Sequence, residues 1–275
     1  MTRQEPLDEI DTFYRGRLAA PQTPRDLPPL SPDYAADLLA ALPEGMVGTS
    51  FGCGNPVALA GIRPGDKVID LGCGAGLDVL LAAARTGPRG RVIGIDASAA
   101  LLDRARANAA KAGIAHAEFR EGRIEALPLA DASADWVISN CVVNLSMDKP
   151  AVFAEIGRVL KPGGVAVISD LVAEGLPGWV AAHRDLYAAC IAGAVSEAVY
   201  TDLARAAGLD DVRVIDRMVY DAGMVRALVA EELPVAIDGL AARLGMGREA
   251  TLDHVAGELA GCIQSIKLTA RRRPG

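Results

Sequence analysis

The sequence has few aromatic side chains, few histidines and no excess of positive charge. Aromatic residues make up only 4% of its 275 residues, three residues are histidine, and the formal net charge is −7. Nucleic acids and anionic membrane surfaces are bound by basic faces, so this charge balance argues against both as partners. The three scattered histidines, His116, His183 and His254, also give little support to a histidine-containing metal site.

Long apolar runs are missing as well. No stretch reaches the roughly 18 uninterrupted apolar residues of a membrane-spanning helix. The first ten residues, MTRQEPLDEI, lack the apolar core of a secretory signal, so we expect a cytoplasmic protein. In that compartment cysteines are expected to be thiols, and none here belongs to a CxxC pair or has zinc-site spacing to a histidine. The five cysteines are Cys53, Cys73, Cys141, Cys190 and Cys262.

The abundant residues indicate an α/β protein. Hydrophobic residues account for 51% of the chain, enough for a sizeable core. From residue 67 onward, short apolar runs alternate with helical stretches of about 10–15 residues, which is typical of βαβ units in a parallel sheet. The predicted strands are KVIDL (67–71), RVIGID (91–96), AHAEFRE (115–121), ADWVISN (134–140) and GVAVISDLV (164–172), with helices over 76–86, 98–112 and 148–160.

Three regions are predicted along the chain. Residues 1–47 form an N-terminal arm with helices near 6–19 and 32–42. Residues 48–173 form the alternating domain. Residues 174–275 form a smaller α/β region, which we expect to cover the substrate. Its predicted elements are helices over 178–192, 196–207, 222–243 and 250–260 and strands over 212–219 and 263–271.

A glycine loop connects the first predicted strand to its helix. The segment VIDLGCGAG (68–76) places glycines at Gly72, Gly74 and Gly76, where the backbone can approach a ligand closely. A dinucleotide site has the spacing GxGxxG instead. The preceding Asp70 would repel a pyrophosphate but suits the ammonium group of an amino acid. Asp96 ends the next strand, where it can accept hydrogen bonds from both hydroxyls of a ribose.

This loop, with EALP at 125–128 and LKPGG at 160–164, resembles the S-adenosylmethionine-dependent class I methyltransferases. The resemblance implies a Rossmann-like fold, with a mostly parallel seven-stranded sheet flanked by helices, and S-adenosyl-L-methionine as cofactor. It also implies a set of cofactor-binding residues. Those expected at the methionine part are Gly72, Cys73 and Gly74, with Asp70 at its ammonium group and Gly76 in the same cofactor-binding loop. Asp96 is expected at the ribose, Ile124 and Glu125 are expected to border the adenine, and Asn140 to face the crevice.

Three cysteines fall near this predicted crevice, and each allows more than one interpretation. Free cysteine is commonly a small buried hydrophobe, and Cys141 or Cys190 taken alone would be read in that way. Cys53, in a Gly-Cys-Gly loop, has nothing to bury it. No histidine occupies an obvious crevice position to act as a general base.

The segments around these cysteines resemble the arsenite methyltransferases. The matching segments are GCGNPVALA, ISNCVVNLSMDKP and CIAGA, within about residues 48–220. The resemblance implies that Cys53, Cys141 and Cys190 bind As(III) and that arsenite is methylated for detoxification. The arsenical is expected to arrive as a thiol conjugate, and a glutathione- or thioredoxin-type thiol to act as reductant. Arsenic(III) is soft and binds thiolates, and its free lone pair needs no general base.

Two other functions stay open on the sequence. A methyltransferase of the same fold could act on carbon or oxygen of a quinone-like or natural-product molecule, which needs no crevice cysteines. A metalloid-sequestering or cofactor-binding protein without turnover is the non-enzymatic alternative. Cys73 and Cys262 are expected to be structural. Residues 1–52 contain no cysteine, unlike the N-terminal arm of many arsenite methyltransferases.

Overall fold

The computed structural model describes residues 54–181, 190–232 and 234–275. The predicted helices near 6–19 and 32–42, Cys53 and most of the helix predicted over 178–192 lie outside these ranges. No helix within the described ranges is long and apolar enough to cross a bilayer.

A single sheet of seven strands organises the described residues, in the order β3-β2-β1-β4-β5-β7-β6. Neighbours from β3 to β5 pair in parallel, and β7 is antiparallel to both β5 and β6. This confirms the predicted α/β class with its mostly parallel seven-stranded sheet. The strands are β1 (Lys67–Leu71), β2 (Arg91–Asp96), β3 (Ala117–Glu121), β4 (Ala134–Asn140), β5 (Leu160–Ala173), β6 (Leu209–Val219) and β7 (Ile263–Arg272).

The strand order reverses between β1 and β4, and this reversal positions the site. The chain runs outward from β1 through β2 to β3, then returns to place β4 on the other side of β1. The loops that leave the carboxyl ends of β1 and β4 therefore diverge and open a crevice, the usual ligand position in open α/β sheets.

Most of the described helices lie close to the predicted ones, with two exceptions. The short helix Pro56–Leu59 has no predicted counterpart. The helix predicted over 222–243 is two helices, because proline lacks an N–H and favours the first position of a helix, here Pro234. The helices are α1 (Pro56–Leu59), α2 (Leu77–Thr86), α3 (Ala99–Lys111), α4 (Lys149–Val159), α5 (Gly178–Ala181), α6 (Glu197–Ala206), α7 (Ala222–Glu232), α8 (Pro234–Leu244) and α9 (Arg248–Leu259).

The LKPGG segment is part of a strand, whereas the sequence predicts helix to residue 160 and strand from 164. β5 already begins at Leu160, which pairs with Ala134, and the register shifts before Trp136 pairs with Val165. Gly163 has a φ of +78°, and a Cβ at Gly164 would meet the Lys161 carbonyl oxygen at 2.9 Å. The two glycines therefore allow a bulge that the helical pattern did not indicate.

Three apolar clusters fill the fold. Two of them pack helices against opposite faces of the sheet, with α4 and α6 on one and α2 and α3 on the other. The third, here called the thiol-side cluster, brings residues of α7 and α9 and the start of β7 together with two cysteines. Its buried members are Cys141, Leu171, Val180, Cys190, Ile191, Tyr220, Val225, Val229, Ile237, Leu252, Val255, Ala256, Leu259 and Ile263.

Candidate active site

The loop between β1 and α2 depends on its three glycines. Gly72, Gly74 and Gly76 all have positive φ, at 66°, 52° and 91°. A Cβ at Gly76 would crowd Ala105 and Phe119, at 3.1 and 3.2 Å, whereas no described atom lies within 4 Å of one at Gly74. The loop is thus packed against the fold at Gly76 and open at Gly74, as a cradle for a ligand requires.

Asp96 holds this loop from the end of β2. Its two carboxylate oxygens accept hydrogen bonds from the amides of Gly74 and Ser98, both at 2.9 Å. Ser98 is the residue before α3, but its own side chain makes no capping bond, contrary to the usual pattern for a serine in this position. Asp96 therefore fixes the glycine loop and the start of α3 together.

Asp70 is a buried carboxylate beside two others. It is 2% exposed, and its Oδ2 atom has no hydrogen-bond partner within the part of the chain that is described. Burial, followed by the charges of Asp78 and Asp96, raises the pKa of Asp70 well above its ordinary value. A cationic group at this position would relieve both costs, so the unpaired carboxylate oxygen of Asp70 fits the ammonium group of S-adenosylmethionine as its hydrogen-bond donor.

Asn140 joins three segments at the carboxyl end of β4. Its Nδ2 atom donates to the Gly54 carbonyl oxygen at 2.6 Å and to Asp78 Oδ2 at 3.0 Å. Asp78 is a site residue that the sequence analysis missed. An acid in the first turn of a helix is usually explained by the helix dipole, and only the fold shows that Asp78 faces Asn140.

The segment predicted to border the adenine is also anchored at the crevice. Ile124 is buried in the cluster beneath α4 and α6. Glu125 accepts a hydrogen bond from Ser146 Oγ at 2.5 Å and pairs with Arg123 Nε at 3.5 Å. Glu125 thus connects this segment to the turn after Cys141, while the adenine contacts of Ile124 and Glu125 stay predictions.

Two of the three cysteines predicted to bind arsenic meet in the structure. Cys190 Sγ donates a hydrogen bond to the Cys141 carbonyl oxygen at 3.0 Å, and both residues are buried. Both also have left-handed backbones, with φ of 56° for Cys141 and 63° for Cys190. This conformation is uncommon for residues other than glycine. The fold therefore joins two unusual turns that are 49 residues apart in the chain.

The two cysteines differ in chemical state, and Cys141 departs from the free thiol that the sequence predicts. Cys141 is disulfide-bonded, and Cys73, Cys190 and Cys262 are free. A disulfide sulfur is not a thiolate, so arsenic binding by Cys141 requires its reduction. Burial, followed by the charge of Asp170, raises the pKa of the Cys190 thiol, while Lys149 lowers it.

The two cysteines expected to be structural are not members of the thiol-side cluster. Burial, with Asp96 and Asp70 nearby, raises the pKa of the Cys73 thiol inside the glycine loop. Cys262 lies in the turn before β7. The predicted third ligand, Cys53, lies outside the described residues, and these residues contain no group of three histidine, cysteine or acidic side chains able to hold a metal ion.

A buried polar network beneath the cysteine pair was also missed by the sequence analysis. Asp170 is fully buried and accepts hydrogen bonds from Asn144 Nδ2 at 2.9 Å, the Leu171 amide at 2.8 Å and the Tyr200 hydroxyl at 2.9 Å. Burial raises the pKa of Asp170 to about 6. Lys149 Nζ donates to the carbonyl oxygens of Asn144 and Ser146, at 3.3 and 3.0 Å.

The contact between Gly72 and Val142 gives a test of the loop. Gly72→Ala is expected to destabilise the protein, because the new Cβ would overlap the Val142 side chain and the backbone is left-handed. The matched control is Gly113→Ala, which has the same φ of 66° and open space around the Cβ. In urea unfolding, Gly72→Ala should lose about 1–3 kcal/mol more than Gly113→Ala. Equal losses would show that the packing at Val142 is unimportant.

The fold and the site define a class I methyltransferase, the class that uses S-adenosylmethionine. A family model described as a methyltransferase domain matches residues 62–208, more than half of the chain. The chain belongs to this methyltransferase domain family. The predicted fold, enzyme class and cofactor are thereby confirmed at the level of the family.

Several relatives share one name. An arsenite methyltransferase of Halobacterium salinarum is 47% identical over 162 residues, covering 58% of this chain and 41% of that protein. One from Aquipseudomonas alcaligenes is 36% identical over 193 residues, covering 67% and 55%. The crystal structure of CrArsM, an arsenic(III) S-adenosylmethionine methyltransferase from Chlamydomonas reinhardtii, matches with a TM-score of 0.63 and 29% identity, covering 96% of this chain and 74% of that one. The chain spans roughly half the length of the two curated relatives.

Proposed function

We propose that this protein methylates trivalent arsenic held by the thiolates of Cys53, Cys141 and Cys190. The observation that carries the proposal is the contact between Cys190 Sγ and the Cys141 backbone, at 3.0 Å. It brings two of the three predicted ligands together at the carboxyl end of the sheet. The names of the relatives support arsenic as the substrate.

The position of the cysteine pair supports methyl transfer. Gly72 of the cofactor loop packs directly against Val142, the residue after Cys141. S-Adenosylmethionine, when bound, would supply an electrophilic methyl carbon for the arsenic lone pair, with S-adenosylhomocysteine as the leaving group. The thiolates hold arsenic as a pyramid with that lone pair free, so the role of the protein is alignment rather than proton removal.

The electron balance of the reaction requires a thiol reductant. The arsenic lone pair forms the new As–C bond, and the electrons of the broken C–S bond stay on sulfur. Arsenic thereby becomes pentavalent. Two thiols return it to the trivalent state by giving up two electrons and two protons and forming one disulfide. We assign this step to a glutathione- or thioredoxin-type thiol, and the overall role to arsenic detoxification.

Arsenic speciation by mass spectrometry tests the proposal. The reduced protein is incubated with arsenite, S-adenosylmethionine and glutathione, and the products are separated and identified. We expect methylated arsenicals that need both protein and cofactor. Binding of S-adenosylmethionine without any methylated arsenic would refute the proposal and favour a carbon- or oxygen-directed methyltransferase.

A further inference from the structure

We propose that Asp170 and Tyr200 are positioning residues for the cysteine pair, and that their buried network fixes the backbone of Cys141 against which the Cys190 thiol rests. The inference rests on the proposed function, because the position of the two cysteines affects catalysis only if their sulfurs bind the substrate. It concerns two residues that offer no sulfur ligand.

The turn that follows Cys141 is hydrogen-bonded to β5. Val143–Leu145 forms a single 3-10 turn, and Asn144 in its centre is buried. Asn144 Nδ2 donates to Asp170 Oδ1 at 2.9 Å and to the Leu171 carbonyl oxygen at 2.6 Å. The Cys141 amide itself donates to the Ser169 carbonyl oxygen at 2.8 Å. The turn is therefore bound to β5 on both sides of Asp170.

Asp170 itself is hydrogen-bonded to α6. Its Oδ2 atom accepts from the Tyr200 hydroxyl at 2.9 Å, and Tyr200 belongs to α6 on another part of the fold. The ring of Tyr200 is fully buried and packs edge-to-face on Phe153, with 5.2 Å between ring centroids. Asp170 is thus hydrogen-bonded to a buried aromatic pair on one side and to Asn144 of the turn on the other.

The network is connected to Cys190 through the backbone of Cys141. The Cys190 thiol rests on the Cys141 carbonyl oxygen, at 3.0 Å, so a shift of the turn also moves the group against which this thiol is placed. Lys149 Nζ holds the same turn from the other end through the carbonyl oxygens of Asn144 and Ser146. Left-handed backbones such as those of the two cysteines persist only when their surroundings hold them.

The energetics favour a geometric role for this network. A fully buried aspartate costs folding free energy, and well-packed apolar residues at such sites are often at least as stabilising. Stability alone therefore gives little reason to place Asp170 here. Its hydrogen bonds instead fix three elements, β5, α6 and the turn, in one arrangement around the cysteines.

Tyr200→Phe is the sharpest test, because it removes one hydroxyl and keeps the ring packed on Phe153. Tyr220→Phe is the matched control, since Tyr220 is equally buried but its hydroxyl has no hydrogen-bond partner in the described part of the chain. Tyr220 also belongs to the thiol-side cluster. The protein is first reduced with a phosphine so that Cys141 is a thiol.

Cadmium is the probe, because Cd²⁺ binds thiolates and gives an ultraviolet sulfur-to-metal band without any arsenic chemistry. We expect a band in the wild-type protein that is much weaker in Cys190→Ser. Tyr200→Phe should bind Cd²⁺ about tenfold more weakly than the wild type, and Asp170→Asn should lose at least as much affinity. Tyr220→Phe should bind Cd²⁺ like the wild type. Affinity for S-adenosylmethionine should stay the same in all of them.

A merely structural role would give a different result. Tyr200→Phe would then melt at a lower temperature but bind Cd²⁺ like the wild type when folded, and this outcome would overturn the inference. A wild-type protein without a Cys190-dependent cadmium band would overturn it as well. Failure of the proposed function has a separate signature, in which the cadmium results are as expected but no methylated arsenic forms.

Discussion

Cys190→Ser is expected to lower arsenic methylation by at least roughly 100-fold, because loss of one sulfur removes both an arsenic ligand and the alignment of its lone pair. Serine keeps the size of the side chain and can still donate to the Cys141 carbonyl oxygen. The fold and the binding of S-adenosylmethionine should therefore be retained. Arsenic speciation measures the first effect and isothermal titration calorimetry the second.

Cys262→Ser is the matched control for this variant. Cys262 is also a free thiol, but it lies in the turn before β7 and makes no contact with the cysteine pair that the structure records. We expect Cys262→Ser to methylate arsenic at the wild-type rate. Cys141→Ser should lose as much methylation activity as Cys190→Ser. Normal turnover by both Cys141→Ser and Cys190→Ser would refute thiolate coordination of the substrate.

Asp70→Asn is expected to have opposite effects on stability and on cofactor binding. The ligand-free protein should melt at a higher temperature, because the variant removes a buried charge placed beside Asp78 and Asp96. Binding of S-adenosylmethionine should weaken about 10- to 100-fold, because a charge-assisted hydrogen bond to its ammonium group is lost. Thermal unfolding with and without cofactor measures both effects.

Three ligands separate the contributions of Asp70 and Asp96. Methylthioadenosine keeps the ribose of the cofactor but lacks the amino acid, so Asp70→Asn should not change its affinity. S-Adenosylhomocysteine keeps the ammonium group and should lose affinity as the cofactor does. Asp96→Ala should weaken the binding of all three ligands, since it removes the expected ribose contact, one hydrogen bond to the glycine loop and one to the start of α3. An equal loss for methylthioadenosine and the cofactor in Asp70→Asn would contradict the placement of the ammonium group.

Local patterns explain why most of the sheet could be predicted. The strands Lys67–Leu71, Arg91–Asp96 and Ala134–Asn140 have the predicted bounds because each is a short apolar run between turn residues. LKPGG was the exception, since helix and strand meet there without a break and the bulge depends on contacts with β4. Helix periodicity likewise did not show that Pro234 starts a new helix.

The site was predicted less completely, for a physical reason. Gly72, Gly74 and Asp96 are identified by their spacing, since a loop between a strand and a helix is a local structure. Asp78 and Asp170 were not identified, because the hydrogen-bond partner of each lies far away in sequence. Asp78 is 62 residues from Asn140, and Asp170 is 30 residues from Tyr200. A buried carboxylate and a solvent-exposed one look alike until the fold shows what covers them.

The sequence by itself therefore determined the fold class, the cofactor loop and the identity of the candidate thiols. The first two depend on short-range periodicity and glycine conformation, and the candidate thiols on the resemblance of their flanking segments to the arsenite methyltransferases. Only the tertiary structure decided that Cys190 contacts Cys141. It also decided that Asp170 and Tyr200 anchor the turn after Cys141 through Asn144. Such contacts join distant segments, and the packing of the whole sheet with its helices determines which segments come together.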